Sequence, residues 1–437
     1  MEYMQQYGHK GLTQLYLLQA VEHIYLILIG DKMSNSFITR RASQTAKTIT
    51  FDGYTDGLTP ETGTDGVSKW FNAPDFTLKV GAISATHVGD YAIFNHGTEC
   101  EAYNASLEKT HFFIPPTYNY GTATHVGNYA LFAGGSIGIN YYSSVSAISS
   151  SLERVTPPPE SLSQARSELA ATHVGNYALF AGGGGGIPQY NIVDAYNTSL
   201  ERVTPSPESL SQARSELAAT HVGNYALFAG GELGDYNPVS STVDAYNTSL
   251  ERVTPSPEGL SQARSELAAT HIGNYALFAG GYEYNNDKSY ATIDAYNTSL
   301  DRSTPTPLSL ARFGLSATHV GNYALFAGGS ATYYPYNYSS TVDAYNTSLE
   351  RSTPTPLSQG RRYSAATTVG DYALFAGGYI SPVDGTASVE AYTTPAQKTK
   401  ITLPPNVSYT FGSLTGTTAQ PTEISPDYPL FGTVTVS

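Results

Sequence analysis

Cysteine is almost absent from this chain: Cys100 stands alone in 437 residues. A lone thiol forms no intramolecular disulfide and no cysteine-based zinc site, so neither device holds the fold. The scarcity leaves the compartment open, because cytosolic and secreted proteins alike can lack cystines. Charge is scarce too, at 13% of residues, and lopsided, with 22 Lys+Arg against 36 Asp+Glu. A net charge of −14 with no basic run argues against a nucleic-acid partner, whose phosphates are bound by neutralising them. It argues equally against adhesion to an anionic membrane surface. Long apolar runs are missing except at 15–29 (LYLLQAVEHIYLILI), which Glu22 and His23 interrupt. That run is too short for a transmembrane helix and no small-x-small cleavage site follows it, so no membrane insertion is expected. Gly30-Asp31-Lys32-Met33 is encodable as a bacterial ribosome-binding site and start codon. Residues 1–33 are therefore set apart, either as a leader or as sequence upstream of a start at Met33.

Against these absences stand 41 glycines, 25 prolines and 35 tyrosines. So many turn formers and β-prone aromatics, with few charges, indicate an all-β chain of short strands. The signature ATHVGNYALFAGG runs almost unchanged at 123–135, 171–183, 219–231, 269–281 and 317–329, with weaker copies at 85–97 and 366–378. Measured at Val88, Val126, Val174, Val222, Ile272, Val320 and Val369, the seven copies are 38, 48, 48, 50, 48 and 49 residues apart. A second signature, VDAYNTSLERVTPSP at 193–207 and 243–257, follows each copy in intact or degraded form. A fixed period of this size marks a repeat architecture.

Four strands are predicted in each unit. Strand A is SELAATHV, ended by a Gly-Asn or Gly-Asp pair that supplies the positive φ of a tight hairpin. Strand B is YALFAGG, whose alternation sends Tyr177 and Leu179 to one face and Ala178 and Phe180 to the other. Both faces are apolar, so both must be covered. Strand C is VDAY, and strand D is LERVTP, closed by prolines that cannot continue a ladder. One small sheet with two apolar faces cannot bury itself, whereas radial stacking covers each sheet with its neighbours. An open solenoid is the alternative, but it would need distinct polar caps.

The glycine pair ending strand B, the strand-C tyrosine 13–16 residues later and the arginine opening strand A resemble the kelch repeat. The resemblance covers 77–405 and implies an all-β fold: a seven-bladed β-propeller of four-stranded antiparallel blades. Two departures stand out. Leucine (Leu200, Leu250, Leu300) replaces the usual strand-D tryptophan, and the first blade lacks the glycine pair. Outside the ring lie an N-terminal extension, 34–76, and a C-terminal β extension, 406–437. Within them TITF (48–51) and TVTV (433–436) read as strands that pair with each other or help close the ring, and 52–66 reads as a loop.

Three recurring features are candidates for chemistry. Six histidines (His87, His125, His173, His221, His271, His319) recur in strand A, with Thr368 in the seventh blade. Equivalent positions lie far apart unless they face the axis, so a repeated structural hydrogen bond is expected there and no metal site. Arg166, Arg214, Arg264, Arg312 and Arg361 each precede the strand-A threonine by six residues. In kelch propellers that position lies near the mouth of the central channel, which implies a guanidinium ring able to hold a carboxylate or sulfated ligand. The alternative is a repeated salt bridge to Glu168, Glu216 or Glu266. Asn197, Asn247, Asn297 and Asn346 sit in Asn-Thr-Ser triplets, where turn chemistry explains them more simply than glycosylation.

The third feature is variation. The B–C connections, 98–99, 136–144, 184–192, 232–242, 282–292, 330–341 and 379–388, differ in every unit. They are rich in Tyr, Asn, Gly and Ser, the composition of antibody binding loops. Tyr141, Tyr142, Tyr190, Tyr236, Tyr282, Tyr284, Tyr290, Tyr333, Tyr334, Tyr336, Tyr338 and Tyr379 are therefore candidate ligand contacts, on one face shared with the arginines. The expected function is a non-catalytic binding module without a cofactor, recognising a glycan or protein at a cell surface, in secreted form or on a phage virion. The alternative is a carbohydrate-active enzyme resembling galactose oxidase or a sugar-acid mutarotase. Cys100, in the shortest connection, has no Tyr and His cluster beside it for the copper chemistry of the former. An intracellular adaptor is the least supported reading, since no further partner-binding domain is evident.

Overall fold

The computed structural model describes residues 67–394, apart from 71–72, 82, 98, 114–119, 187, 204–206, 235–237 and 255, together with the backbone of short strands near both ends. Residues 30–33, which bear on the start, and Tyr236 lie outside the described residues.

Seven antiparallel sheets follow one another along the chain. In the third, strand A (Ala170–Val174) pairs with strand B (Tyr177–Ala181), which pairs with strand C (Val193–Asn197). The same plan repeats from Ser84–Val88 in blade 1 to Ala365–Val369 in blade 7. Gly175, at φ +53°, turns A into B. The A strands lie side by side from blade to blade, and that of blade 7 returns to that of blade 1. The chain is a seven-bladed β-propeller.

The packing explains the closure. Leu179, Ala181, Val193 and Ala195 of blade 3 pack against Ala226, Phe228 and Tyr246 of blade 4, all buried. The described residues hold seven such clusters, one for each junction between blades, including that of blade 7 with blade 1. A ring therefore has no apolar end to cap, and the open solenoid is excluded. Each buried Phe contributes about 1.5–3 kcal/mol. The strand-C tyrosines fix the seam by donating their hydroxyls to a backbone carbonyl, as from Tyr196 to Glu160 at 2.7 Å. The glycine pair has the same purpose. A side chain at Gly182 (φ +67°) would meet the carbonyl oxygen of Arg214, in the next blade, at 2.6 Å.

Blade 1 has a five-residue strand D, Lys109–Phe113, but in blades 2–6 strand D is shorter than expected. It has two residues in blades 5 and 6 (Arg302–Ser303, Arg351–Ser352) and is a single bridge at Arg154, Arg202 and Arg252 in blades 2–4. The following prolines remove the N–H groups a longer ladder needs. In blade 7 the fourth strand is Ser68–Trp70, which pairs antiparallel with Val389–Thr393. The ring is thus latched by chain that precedes blade 1, and Val67 is buried in the junction of blades 6 and 7.

The terminal strands form a separate unit, Met1–Thr59 with Pro395–Ser437. In it Lys47–Thr50 pairs antiparallel with Thr433–Val436, so the two end strands pair with each other. Gln14–Ala20 pairs with His23–Ile29 as a hairpin.

Candidate functional site

The five arginines are not available to a ligand. Arg166, Arg214, Arg264, Arg312 and Arg361 are wholly buried. Each meets the acid of its own strand C: Asp194 at 2.9 Å, Asp244 at 2.6 Å, Asp294 and Asp343 at 2.8 Å, and Glu390. Four of them also donate to a strand-B carbonyl, as Arg264 does to Phe278 at 3.2 Å. The four aspartates also take a second arginine from strand D, such as Arg302 on Asp294 at 3.0 Å. A guanidinium shut away from water needs such a carboxylate, and its forked donors suit two acceptors at once. The salt bridges expected to Glu168, Glu216 and Glu266 are likewise replaced by these strand-C partners.

Those glutamates do something else. They line the mouth of the central channel with Tyr120, Gly314 and Tyr363, around a cavity of about 230 Å³ floored by Leu169, Leu217, Leu267 and Leu315. Tyr120, Glu168, Glu216, Glu266, Gly314 and Tyr363 all have φ between +50° and +61°. In this conformation the N–H groups of the last five reach the carbonyl of their counterpart in the preceding blade. Glu168 donates to Tyr120 at 2.9 Å, Glu216 to Glu168 at 3.0 Å, Glu266 to Glu216 at 3.2 Å, Gly314 to Glu266 at 3.0 Å and Tyr363 to Gly314 at 2.7 Å. Left-handed backbone at a non-glycine costs of order 1 kcal/mol or more, and clusters of it mark functional sites.

Burial and mutual repulsion push the carboxyls of Glu168 and Glu216 upward, Glu216 well above the usual range. Burial also raises Glu266, although hydroxyls of Tyr284 and Tyr363 donate to its two oxygens. Tyr284 comes from the B–C loop of blade 5, which places that loop at the mouth. The B–C loops and the approaches to strand A share one face, as bridges such as Ser167 to Gly184 and Arg362 to Tyr379 show.

The loop tyrosines divide by position. Tyr282 and Tyr290 are buried and serve as supports, their hydroxyls donating to Asp287 and to Glu283. Tyr333 (40% exposed) stacks on Tyr282 at 5.5 Å and Phe313 at 6.1 Å, and meets Tyr284 edge-on at 5.5 Å. It continues to Tyr336 at 5.6 Å, and Tyr336 stacks on Tyr338 at 5.7 Å. Arg362 lies 3.7 Å over the Tyr336 ring and 4.7 Å from that of Tyr363. Blades 5, 6 and 7 thus contribute one aromatic ledge beside the carboxylates. Tyr334 is exposed but outside these ring contacts, while Tyr141, Tyr142, Tyr190 and Tyr379 are half-buried on other parts of the face. The sequence reading missed Tyr120, Phe313, Arg362 and Tyr363, although three of these follow the channel arginines by one or two places.

The histidines face the axis. Rings of His87, His125, His173, His221, His271 and His319 contact one another in order, with centroids 4.0–4.3 Å apart. Ring packing between blades, rather than a hydrogen bond repeated within each, is what recurs. Cys100 lies inside strand C of blade 1 (Glu99–Asn104), buried beside Asn95, and burial pushes its thiol up to about 12. Among the described residues no group of three or more His, Cys, Asp or Glu is placed to hold a metal ion. The asparagine triplets show the expected turn bonds, Asn197 accepting from the N–H groups of Ser199 and Glu201.

No family model matches the chain, and no curated protein matches it in sequence. Its fold is similar to a solved structure described as "Structure of YjhT", with a TM-score of 0.50 and 13% identity, covering 72% of this chain and 95% of that one. At that identity the likeness speaks for the architecture alone, and the site is read from its own residues.

Proposed function

We propose that the protein is a non-catalytic binding propeller of the kelch type that takes a carbohydrate on its B–C loop face. The observation that carries this reading is Tyr333, half-exposed and held flat by Tyr282 and Phe313 beside the carboxylate-lined mouth. A rigid aromatic face accepts the apolar side of a sugar ring at low entropic cost. Carboxylates and phenols one step away supply acceptors and donors for its hydroxyls. A cavity of about 230 Å³ suits a single sugar ring better than a protein segment. The test is a glycan array probed with the full chain and with Tyr333→Ser. Wild-type binding to a defined glycan, weakened at least ten-fold by the substitution, is expected. No glycan bound, or equal binding by the variant, would overturn the reading.

A second reading, a mutarotase-like enzyme, is favoured by one detail. Glu216, raised well above the usual carboxyl range, lies 3.4 Å from the Tyr284 hydroxyl. A carboxyl that holds its proton more tightly than usual is suited to act as a general acid. Anomer exchange of the bound sugar, followed by NMR and abolished in Glu216→Gln, would establish it.

A further inference from the structure

The channel has a second chemically distinct level that the loop face does not use. Four residues of extended strand separate Leu169 at the mouth from His173, about 13 Å at 3.3 Å per residue. At that level six imidazoles pack ring against ring, and Thr368 fills the seventh place. Blades diverge outward from the axis, so contacts running in order through six blades place the rings around the channel.

Among the described residues, none that acts electrostatically on these rings supplies a counter-charge. Across each A–B ladder the residue paired with the histidine is an alanine: Ala92, Ala130, Ala178, Ala226, Ala276 and Ala324. The groups that act on the rings electrostatically are one another. The A–B turns beyond them carry asparagine in blades 2 to 6, and the acids at this end, Asp90 and Asp371 in the A–B turns and residues such as Glu201, Glu251 and Asp301 in the adjoining C–D turns, are all exposed. Burial and mutual repulsion keep the rings neutral, with His125 and His271 lowered to about 2, His221 to about 3, and His173 and His319 to about 4. A close-packed set of proton acceptors with no carboxylate against it takes its counter-charge from outside the chain. The neighbouring rings would each offer an imidazolium N–H, so a compact ion with several acceptor oxygens and two negative charges fits best.

We propose that the histidine ring is a binding site for a tetrahedral oxyanion, a sulfate or phosphate group, and that it takes up protons as the anion binds. Binding then tightens as pH falls, because the anion selects the protonated rings. The site is independent of the carbohydrate reading, and its failure would leave that reading untouched.

Calorimetric titration of the full chain with sodium sulfate tests it, against sodium chloride of equal ionic strength, at pH 5.5 and 7.5 and in two buffers of different ionisation enthalpy. One saturable site, uptake of at least one proton, and affinity at least ten-fold higher at pH 5.5 are expected. The double variant His173→Gln/His221→Gln, with near-UV circular dichroism unchanged, is expected to lose at least ten-fold at pH 5.5. Absence of binding at pH 5.5, pH-independent binding, or full binding by the folded variant overturns the proposal. Should the variant not fold, histidine-selective NMR of the unsubstituted protein decides. Sulfate raising the apparent pKa of the ring imidazoles supports the site, and unchanged titration overturns it. A parallel titration with glucose 6-sulfate separates the sources: binding comparable to sulfate assigns an esterified group, and binding of sulfate alone assigns the free ion.

Discussion

Tyr363 and Glu266 stand 97 residues apart in sequence and two blades apart in the ring, yet the phenol of one donates a hydrogen bond to the carboxylate of the other. The blade between them makes this possible. Where blades 3, 4 and 5 place a glutamate, blade 6 has Gly314, and a Cβ there would lie 3.0 Å from the Tyr363 ring. The missing side chain is the space through which the tyrosine reaches.

Because the Tyr363 hydroxyl lowers the Glu266 carboxyl, Tyr363→Phe is expected to move that carboxyl further up. Carbon-detected NMR titration of Glu266 reads the shift. The lost hydrogen bond to a charged group is expected to cost about 1.5–3 kcal/mol in chemical denaturation.

Arg264 and Asp294 are fully buried and 2.8 Å apart. Arg264→Met is expected to destabilise the ring by about 3–5 kcal/mol, since it leaves a buried carboxylate short of its main partner. Replacing both residues, Arg264→Met with Asp294→Leu, is expected to recover most of that loss. Denaturant midpoints of the two variants decide between a stability role and a ligand role for this arginine.

Glu216 has a raised carboxyl, so its ionisation opposes folding above the ordinary glutamate pKa near 4.5. Glu216→Gln is therefore expected to match wild type in acid and to become the more stable protein as pH rises from about 4.5 toward neutrality. Thermal midpoints measured from pH 4 to 8 show the divergence, and parallel curves would contradict it.

The histidine ring has the opposite sign. The rings stay neutral in the folded state, while an unfolded chain protonates its histidines near 6.5. Stability is expected to be full above about 6.5 and to be lost as pH falls toward the lowered values. In chloride buffer the thermal midpoint should drop between pH 7 and 5, and His221→Gln should shrink that drop.

Cys100, buried and with its thiol at about 12, is expected to resist iodoacetamide at pH 8 in the native protein and to react within minutes in denaturant. Mass spectrometry of the alkylated chain checks this, and makes the thiol a marker for opening of blade 1.

Much of this molecule is readable in its repeats, and the limits have physical causes. Alternation in YALFA shows two apolar faces because side chains on a strand point to opposite sides, and Leu179 and Phe180 are buried on both. Arg166 was visible, but its partner is chosen by cross-strand geometry. The available clue was Asp194, a charge between Val193 and Ala195 in a strand expected to be buried on both faces. Such a charge requires a partner, and Arg166 answers it. The mouth glutamates were visible too, but their left-handed backbone, which links them blade to blade, has no signature in residue type. The latch was hidden because Ser68–Trp70 is only three residues long and pairs with a strand more than 300 positions away.

That latch sets an order of events during synthesis. The strand that completes the last blade leaves the ribosome before any blade exists, and its partner follows more than 300 residues later. At 5–20 residues per second the interval is roughly 15–65 s. Through that time the first blade and the newest one each have a neighbour on one side only, and each shows a bare apolar face. The nascent chain is thus an open arc exposed to chaperones and to mispairing, and it becomes a ring only when its final repeat meets the segment made first.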